Sequence, residues 1–189
     1  MISIRALIFA ALLAFTAAPL HAADEILDAI DQGRKAYQSG NMGEAKQSLD
    51  LASQLIGQKN AEAFVAILPA PLSGWTAEAA ETSAVGASAF GASSATRRYT
   101  NDKGQDVEVQ VTGDSMVIAS MASFLANPQI AGAMGKLVQV GGLRALVNAS
   151  GDVNMVVANK FLVAVQGSAP ADAKMAYARA VDVAKLSKM

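Results

Sequence analysis

Apolar residues first recur at helical spacing. Ile26, Leu27, Ile30, Ala36 and Tyr37 make one run, and Ala45, Leu49, Ala52, Leu55 and Ile56 make a second. Spacings of three and four residues put each set on one side of a helix. Between the runs, Ser39-Gly40-Asn41-Met42 has the composition of a turn. The pattern predicts two antiparallel helices, about 24–38 and 42–60, the second reaching toward Leu68. LPAPLSGW (68–75) then ends the helical period with two prolines and a glycine, and Trp75 closes that linker. A tryptophan in such a place covers a junction between modules or stacks on a ligand.

Beyond the linker the period changes to two. A strand is predicted within 82–89, followed by a Gly/Ala/Ser-rich loop. In ATRRYTNDKGQDVEVQVTG, Val107, Val109 and Val111 alternate with Glu108, Gln110 and Thr112, and Asn101-Asp102-Lys103-Gly104 supplies the turn of a hairpin. If Tyr99 shares the valine face, it pairs near Val107. Arg98 and Glu108 then become outward neighbours, an exposed cross-strand ion pair. On that register the Arg97–Arg98 doublet is sheet surface rather than an anion site.

From Ser115 to Gly135 the chain carries no charge. Met116, Val117, Ile118, Met121, Phe124 and Leu125 make a broad apolar side. Asn127-Pro128 interrupts the run, because a residue before proline avoids helical geometry. The stretch therefore divides into a three-turn helix and a shorter piece. That is too broken for a membrane span, which needs about 20 apolar residues in one helix. It reads as a buried core helix or as the wall of a lipid or hydrophobic-ligand site. KLVQV, LRALV, VNMVV and FLVAVQ follow as four short strands. They are separated by Gly141-Gly142, Ser150-Gly151-Asp152 and Asn159-Lys160, the layout of an antiparallel meander. Pro170 opens a last helix, its apolar face at Met175, Ala178, Val181 and Leu186.

The fold class this predicts is α+β: an N-terminal α-hairpin and an antiparallel sheet of about 6–7 strands, with helices packed on one face. The domain reading is a signal peptide over 1–22, the hairpin over 23–68 and the sheet domain over 69–189. Two resemblances accompany it. Gly33, Tyr37, Gly40, Glu44, Ala45 and Ala52, in GRKAYQSGNMGEAKQSLDLA, match the spacing of a tetratricopeptide unit, so the hairpin (about 26–58) resembles a single such repeat. A repeat array needs at least about three units, and no second copy follows. The order of elements over 75–186 is similar to exported α+β domains of the PsbP type and to sheet-plus-final-helix domains of extracytoplasmic lipoproteins. That likeness carries no catalytic motif.

Composition narrows the function. The start of the chain has one basic residue (Arg5), an apolar run from Ala6 to Ala18, Pro19, and small residues at Ala22 and Ala23. This is the layout of a cleavable secretory signal, and it points to the periplasm. Removing 22 of the 189 residues leaves 167, with 14 basic and 16 acidic groups, since Arg5 is the only charged residue lost. No basic stripe suggests nucleic acid. The chain has no Cys, and its single His, His21, falls within the signal. Residues 23–189 thus lack imidazole and thiol, which removes Ser-His-Asp and Cys-His catalysis and the usual zinc sites.

No cofactor and no metal site is expected. Asp24, Asp28 and Asp31 lie near a helix start but lack the loop of a calcium site. Met116, Met121 and Met134 lack the clustering of a copper(I) site. Three functions remain open. The first is a non-enzymatic accessory that binds another envelope protein through exposed apolar residues of the hairpin, Ile30, Tyr37 and Leu49. The second is a binder of a hydrophobic small molecule or lipid, walled by Trp75, Phe90, Met116, Met121 and Phe124. The third is a carboxylate hydrolase drawing on Asp106, Glu108, Asp114 and Asp152, none of which the sequence brings to a working spacing.

Overall fold

A computed structural model describes residues 24–84, 92–113 and 116–189. The signal segment, Phe90 and Asp114 fall outside those residues. The chain is α+β, as the periodicities predict. Helices α1 (Glu25–Gln38) and α2 (Met42–Val65) form the hairpin. Strands β1 (Trp75–Ala77), β2 (Glu81–Ala84), β3 (Ser93–Asn101) and β4 (Asp106–Gly113) follow. Next come α3 (Met116–Ala126) and α4 (Pro128–Met134). Strands β5 (Lys136–Val140), β6 (Leu143–Val147), β7 (Val153–Val157) and β8 (Phe161–Gln166) then lead to α5 (Ala171–Ala180) and the single-turn α6 (Val183–Leu186).

All eight strands join one antiparallel sheet in the order β1-β3-β4-β8-β7-β6-β5, with β2 paired to the same strand as β1, β3. The predicted register holds: Tyr99 lies opposite Val107 and Arg98 opposite Glu108. The Arg98–Glu108 ion pair forms at 3.1 Å. Arg97 lies opposite Val109, on the other face, so the doublet is split by the pleat. One strand escapes the sequence reading. Trp75 opens β1 rather than ending a linker, because three residues are too few to show alternation.

The core lies on the face of Val107, Val109 and Val111, each with no accessible surface. Across β8 and β7 it continues through Val163, Val165 and Met155. Two helical pieces close it. The end of α2 contributes Phe64, whose ring meets Phe161 edge-on at 5.6 Å. Gly113 lies beneath it, and a Cβ there would stand 2.7 Å from Phe64 Cζ. Helix α5 contributes Tyr177, 4.3 Å from the Tyr99 ring and 5.4 Å from Trp75. Both tyrosines hold the linker. The Tyr99 hydroxyl donates to the Pro69 carbonyl at 2.6 Å, and the Tyr177 hydroxyl accepts from the Leu72 N–H. Burial pushes the Tyr99 phenol up to about 12.

The expectation that the helices share one face needs correction. Leu146, Leu137 and Val156 have the opposite parity to the core residues of their strands, and they pack with Met121 and Ala131 in a separate cluster. Helices α3 and α4 therefore cover the second face. The topology requires a crossover, and the first face is already filled by Phe64 of α2 and Tyr177 of α5. The antiparallel pairings give β4 and β5 the same direction, with β8, β7 and β6 between them. A connection between strands of like direction must return along the sheet over a face. Asn127 makes the break that its proline predicts: α3 ends at Ala126, and the Asn127 side chain accepts from the Gln129 N–H at the start of α4.

The last helix also differs from expectation. It stops at Ala180, Val181 turns extended, and Asp182 caps α6, which buries Leu186. The face of α5 toward the sheet is Lys174, Tyr177 and Ala178, while Met175 is only partly buried.

Candidate functional site

The hairpin is built on a seam of small residues. Helix α1 buries Ala29, Gly33 and Ala36, and the first half of α2 buries Ala45, Ser48 and Ala52. Small side chains let the two backbones approach closely. Leu49 lies over Gly33, where a Cβ would come within 2.9 Å of Leu49 Cγ. Asp24 caps α1 and Asn41 caps α2, which satisfies the N–H groups that a helix start leaves open.

Helix α2 serves two neighbours with opposite sides. Ala52 packs on α1, whereas Ala61 and Phe64 pack on the sheet. Ala52 and Ala61 are about two and a half turns apart at 3.6 residues per turn, so they point in opposite directions. Helix α1 therefore lies on the side of α2 away from the sheet. The predicted contact residues stand on this outlying pair, and all are open to solvent: Ile30 at 39%, Tyr37 at 64% and Leu49 at 50% exposure. Leu27, Met42 and Ile56 are exposed as well. Helical phase puts Ile30, Tyr37, Met42, Leu49 and Ile56 on one side of the seam, the side on which Leu49 overhangs Gly33, while Leu27 points away from α2. Ile30 and Tyr37 are seven residues apart, and so are Met42, Leu49 and Ile56 in turn. That is the heptad spacing with which one helix packs on another. Two ion pairs border the patch, Asp31–Arg34 at 3.0 Å and Lys46–Asp50 at 2.6 Å, each within its own helix.

Where α1 begins, α2 runs on and leaves a cavity of about 690 Å³ lined by Asp24, Glu25, Ile26, Leu55, Gln58 and Glu62. A smaller one of about 260 Å³ continues past Gln58 and Glu62 to Thr82 and Ala84 of β2. Both are polar, open grooves rather than enclosed apolar pockets.

Of the residues proposed as a ligand wall, the two whose side chains are described, Trp75 and Met121, lie on opposite faces of the sheet. Trp75 packs with Tyr177 in the core on one face of the sheet, and Met121 belongs to the small cluster on the other. A sheet separates them, because the crossover carries α3 to the second face. Phe90 and the side chains of Met116 and Phe124 lie outside the described residues. Among the described residues no helix is long and apolar enough to cross a membrane.

Three of the four named acids do converge. Asp106, Glu108 and Asp152 line one open cleft of about 420 Å³ with Arg98, Gln166 and Gly167. Each is already engaged. Asp106 accepts from the Ser168 hydroxyl. Glu108 accepts from Arg98 and Gln166. Asp152 accepts from Lys174 Nζ at 2.8 Å and from Asn148 Nδ2 at 2.9 Å. The Ser168 hydrogen bond holds Asp106 below the usual carboxylate range. Burial alone would raise Asp152, but the hydrogen bonds from Lys174 and Asn148, with the lysine charge, outweigh it and leave it lowered. Both stay ionised at neutral pH. No group of three or more His, Cys, Asp or Glu among the described residues could hold a metal.

The sequence reading missed Lys174, which is 1% exposed. Its ammonium donates to Asp152 and to the carbonyls of Ser150 and Gly167, three acceptors for three protons. This staples α5 to the loop before β7 and the loop after β8. Lys174 stands four residues before Ala178 and seven before Val181, inside the apolar stripe. A charge at a stripe position was the available signal.

Comparison with protein-family models, curated proteins and solved structures yields no match for this chain.

Proposed function

We propose that this protein is a non-enzymatic accessory of the cell envelope, exported to the periplasm, that works by protein–protein contact through its helical hairpin. The observation that carries the reading is the side of α1 and α2 bearing Ile30, Tyr37 and Leu49 in the open. Monomeric proteins leave single apolar residues exposed, but a patch of several hundred Å² on one side of an outlying element marks a contact site. The tetratricopeptide-like spacing of Gly33, Tyr37, Gly40, Ala45 and Ala52 supports it, since that repeat is used to present helices to partners. So does the absence of imidazole and thiol from residues 23–189. The signal-like start supports export. The sheet domain is the base from which α2 projects the hairpin.

The test is site-specific photo-crosslinking in cells. A photoreactive residue replacing Tyr37 or Leu49 yields a discrete protein adduct, and one replacing Lys103, in the distant β3–β4 turn, does not. Adducts from Lys103 matching those from Tyr37, or none from either hairpin position, would sink the reading.

A further inference from the structure

We propose that the protein closing the open side of the hairpin is a second copy of this chain, its own hairpin face to face with the first in a two-fold, four-helix contact. The inference rests on the contact reading above and names its partner.

Three observations favour this occupant. The first is shape. Heptad spacing on both helices, at Ile30 and Tyr37 and at Met42, Leu49 and Ile56, is the pattern that receives other helices at a shallow angle. The same surface on a second copy offers two such helices. Two-layer α-hairpins join in this way into four-helix bundles.

The second is area. Ile30, Tyr37, Met42, Leu49 and Ile56 are 39–64% exposed. Together they offer roughly 500 Å², in the upper part of the range for the largest apolar patch of a monomer, which is often a functional one. That is more than half of the ~800 Å² per subunit of a stable interface. The neighbouring Arg34, Gln38, Lys46 and Ser53 can supply the polar rim.

The third is charge. The ions flanking the patch are paired within their own helices, Asp31 with Arg34 and Lys46 with Asp50. The border is neutral and shows no single sign of charge. A two-fold contact places each patch on its own copy, so a face of one sign would repel itself, and a neutral one does not. A face made for an anionic membrane would carry a basic rim around its apolar strip. Here each cation is matched by an acid one turn away.

The measurement is the mass of the full chain, as recovered from cells that make it, by analytical ultracentrifugation from about 1 to about 100 µM, the range in which modest contacts populate. The wild-type mass rises from one chain to two. Tyr37→Glu combined with Leu49→Glu weakens association at least tenfold, because each places a charge in the centre of the patch. Both positions are exposed, so the folded circular dichroism is kept. Leu49→Ser, a milder change, weakens it in the same direction. Lys103→Glu associates as wild type. A wild-type chain that stays single throughout overturns the second-copy proposal, as does a dimer that the hairpin substitutions leave intact. If the single chain still forms Tyr37 adducts with a different protein in cells, the contact reading stands and only this inference fails. Binding of the single chain to phosphatidylethanolamine–phosphatidylglycerol vesicles, lost with Tyr37→Glu, would overturn the inference in favour of a lipid surface.

Discussion

In the sheet, Val107, Val109 and Val111 of β4 disappear completely beneath Phe64 and Tyr177. In the hairpin, the seam is Ala29, Gly33 and Ala36 against Ala45, Ser48 and Ala52, and the large residues stand outside it. Burying a valine or phenylalanine is worth about 1.5–3 kcal/mol, whereas a methyl is worth about 0.8. The same chain thus buries its large apolar groups where the end of α2 meets the sheet and leaves those along the hairpin facing solvent. A region that spends little apolar surface on its own fold while displaying much of it is suited to contact. A region that hides all of it is suited to support.

The contrast breaks first, and hardest, at the joint. Phe64→Ala empties the space over Gly113 and Phe161 and should lower the unfolding free energy by about 3–5 kcal/mol in a denaturant titration. A loss near zero would mean that α2 is not anchored through this ring.

Lys174→Met keeps the aliphatic stem but strips Asp152 and two carbonyls of their donor. A loss of about 3 kcal/mol is expected, since removing one member of a buried pair strands the other. The pH dependence has a definite sign. Asp152 and Asp106 have lowered folded pKa values. Their stabilisation is fully present above the ordinary carboxylate value of about 4 and is lost as pH falls through the folded values. Asp152→Asn should flatten the acid limb of stability against pH, and an unchanged limb would remove Lys174–Asp152 from the account.

Ala52→Leu crowds the small-residue seam and should cost about 1–3 kcal/mol. The loss should be confined, seen by hydrogen exchange as faster opening of α1 while β4 and β8 keep their protection. Equal loosening of the sheet would show that the two regions fold as one unit. The smallest effect belongs to the face itself. Tyr37→Ser, at a position 64% exposed, should leave the stability of the single chain within about 0.5 kcal/mol of wild type by thermal unfolding.

Much of this was legible before the structure. Alternation in DVEVQVTG gave the Tyr99–Val107 register, and Asn127-Pro128 gave the split between α3 and α4, because both signals are local. The face of the sheet that α3 and α4 cover was not legible. It follows from β4 and β5 sharing a direction four strand positions apart and from α2 and α5 already filling the first face, properties of pairing and packing rather than of any segment. Lys174 was hidden by its charge, and β1 by its length. The contact residues Ile30, Tyr37 and Leu49 were named on period alone. That they are open depends on α2 turning opposite sides to α1 and to the sheet, which shows only when Ala52 and Ala61 are placed together.

The most direct measurement is the rate of methionine oxidation by peroxide, read by mass spectrometry on the dilute purified chain and in cells that make it. Met42 lies on the hairpin face, while Met134 and Met189 lie away from it, and all three are about half exposed. The account predicts that Met42 is oxidised as fast as the other two in the dilute chain and several-fold slower in cells, while Met134 and Met189 keep their rates. Equal rates for Met42 in both settings would mean that nothing covers the hairpin, and would contradict it.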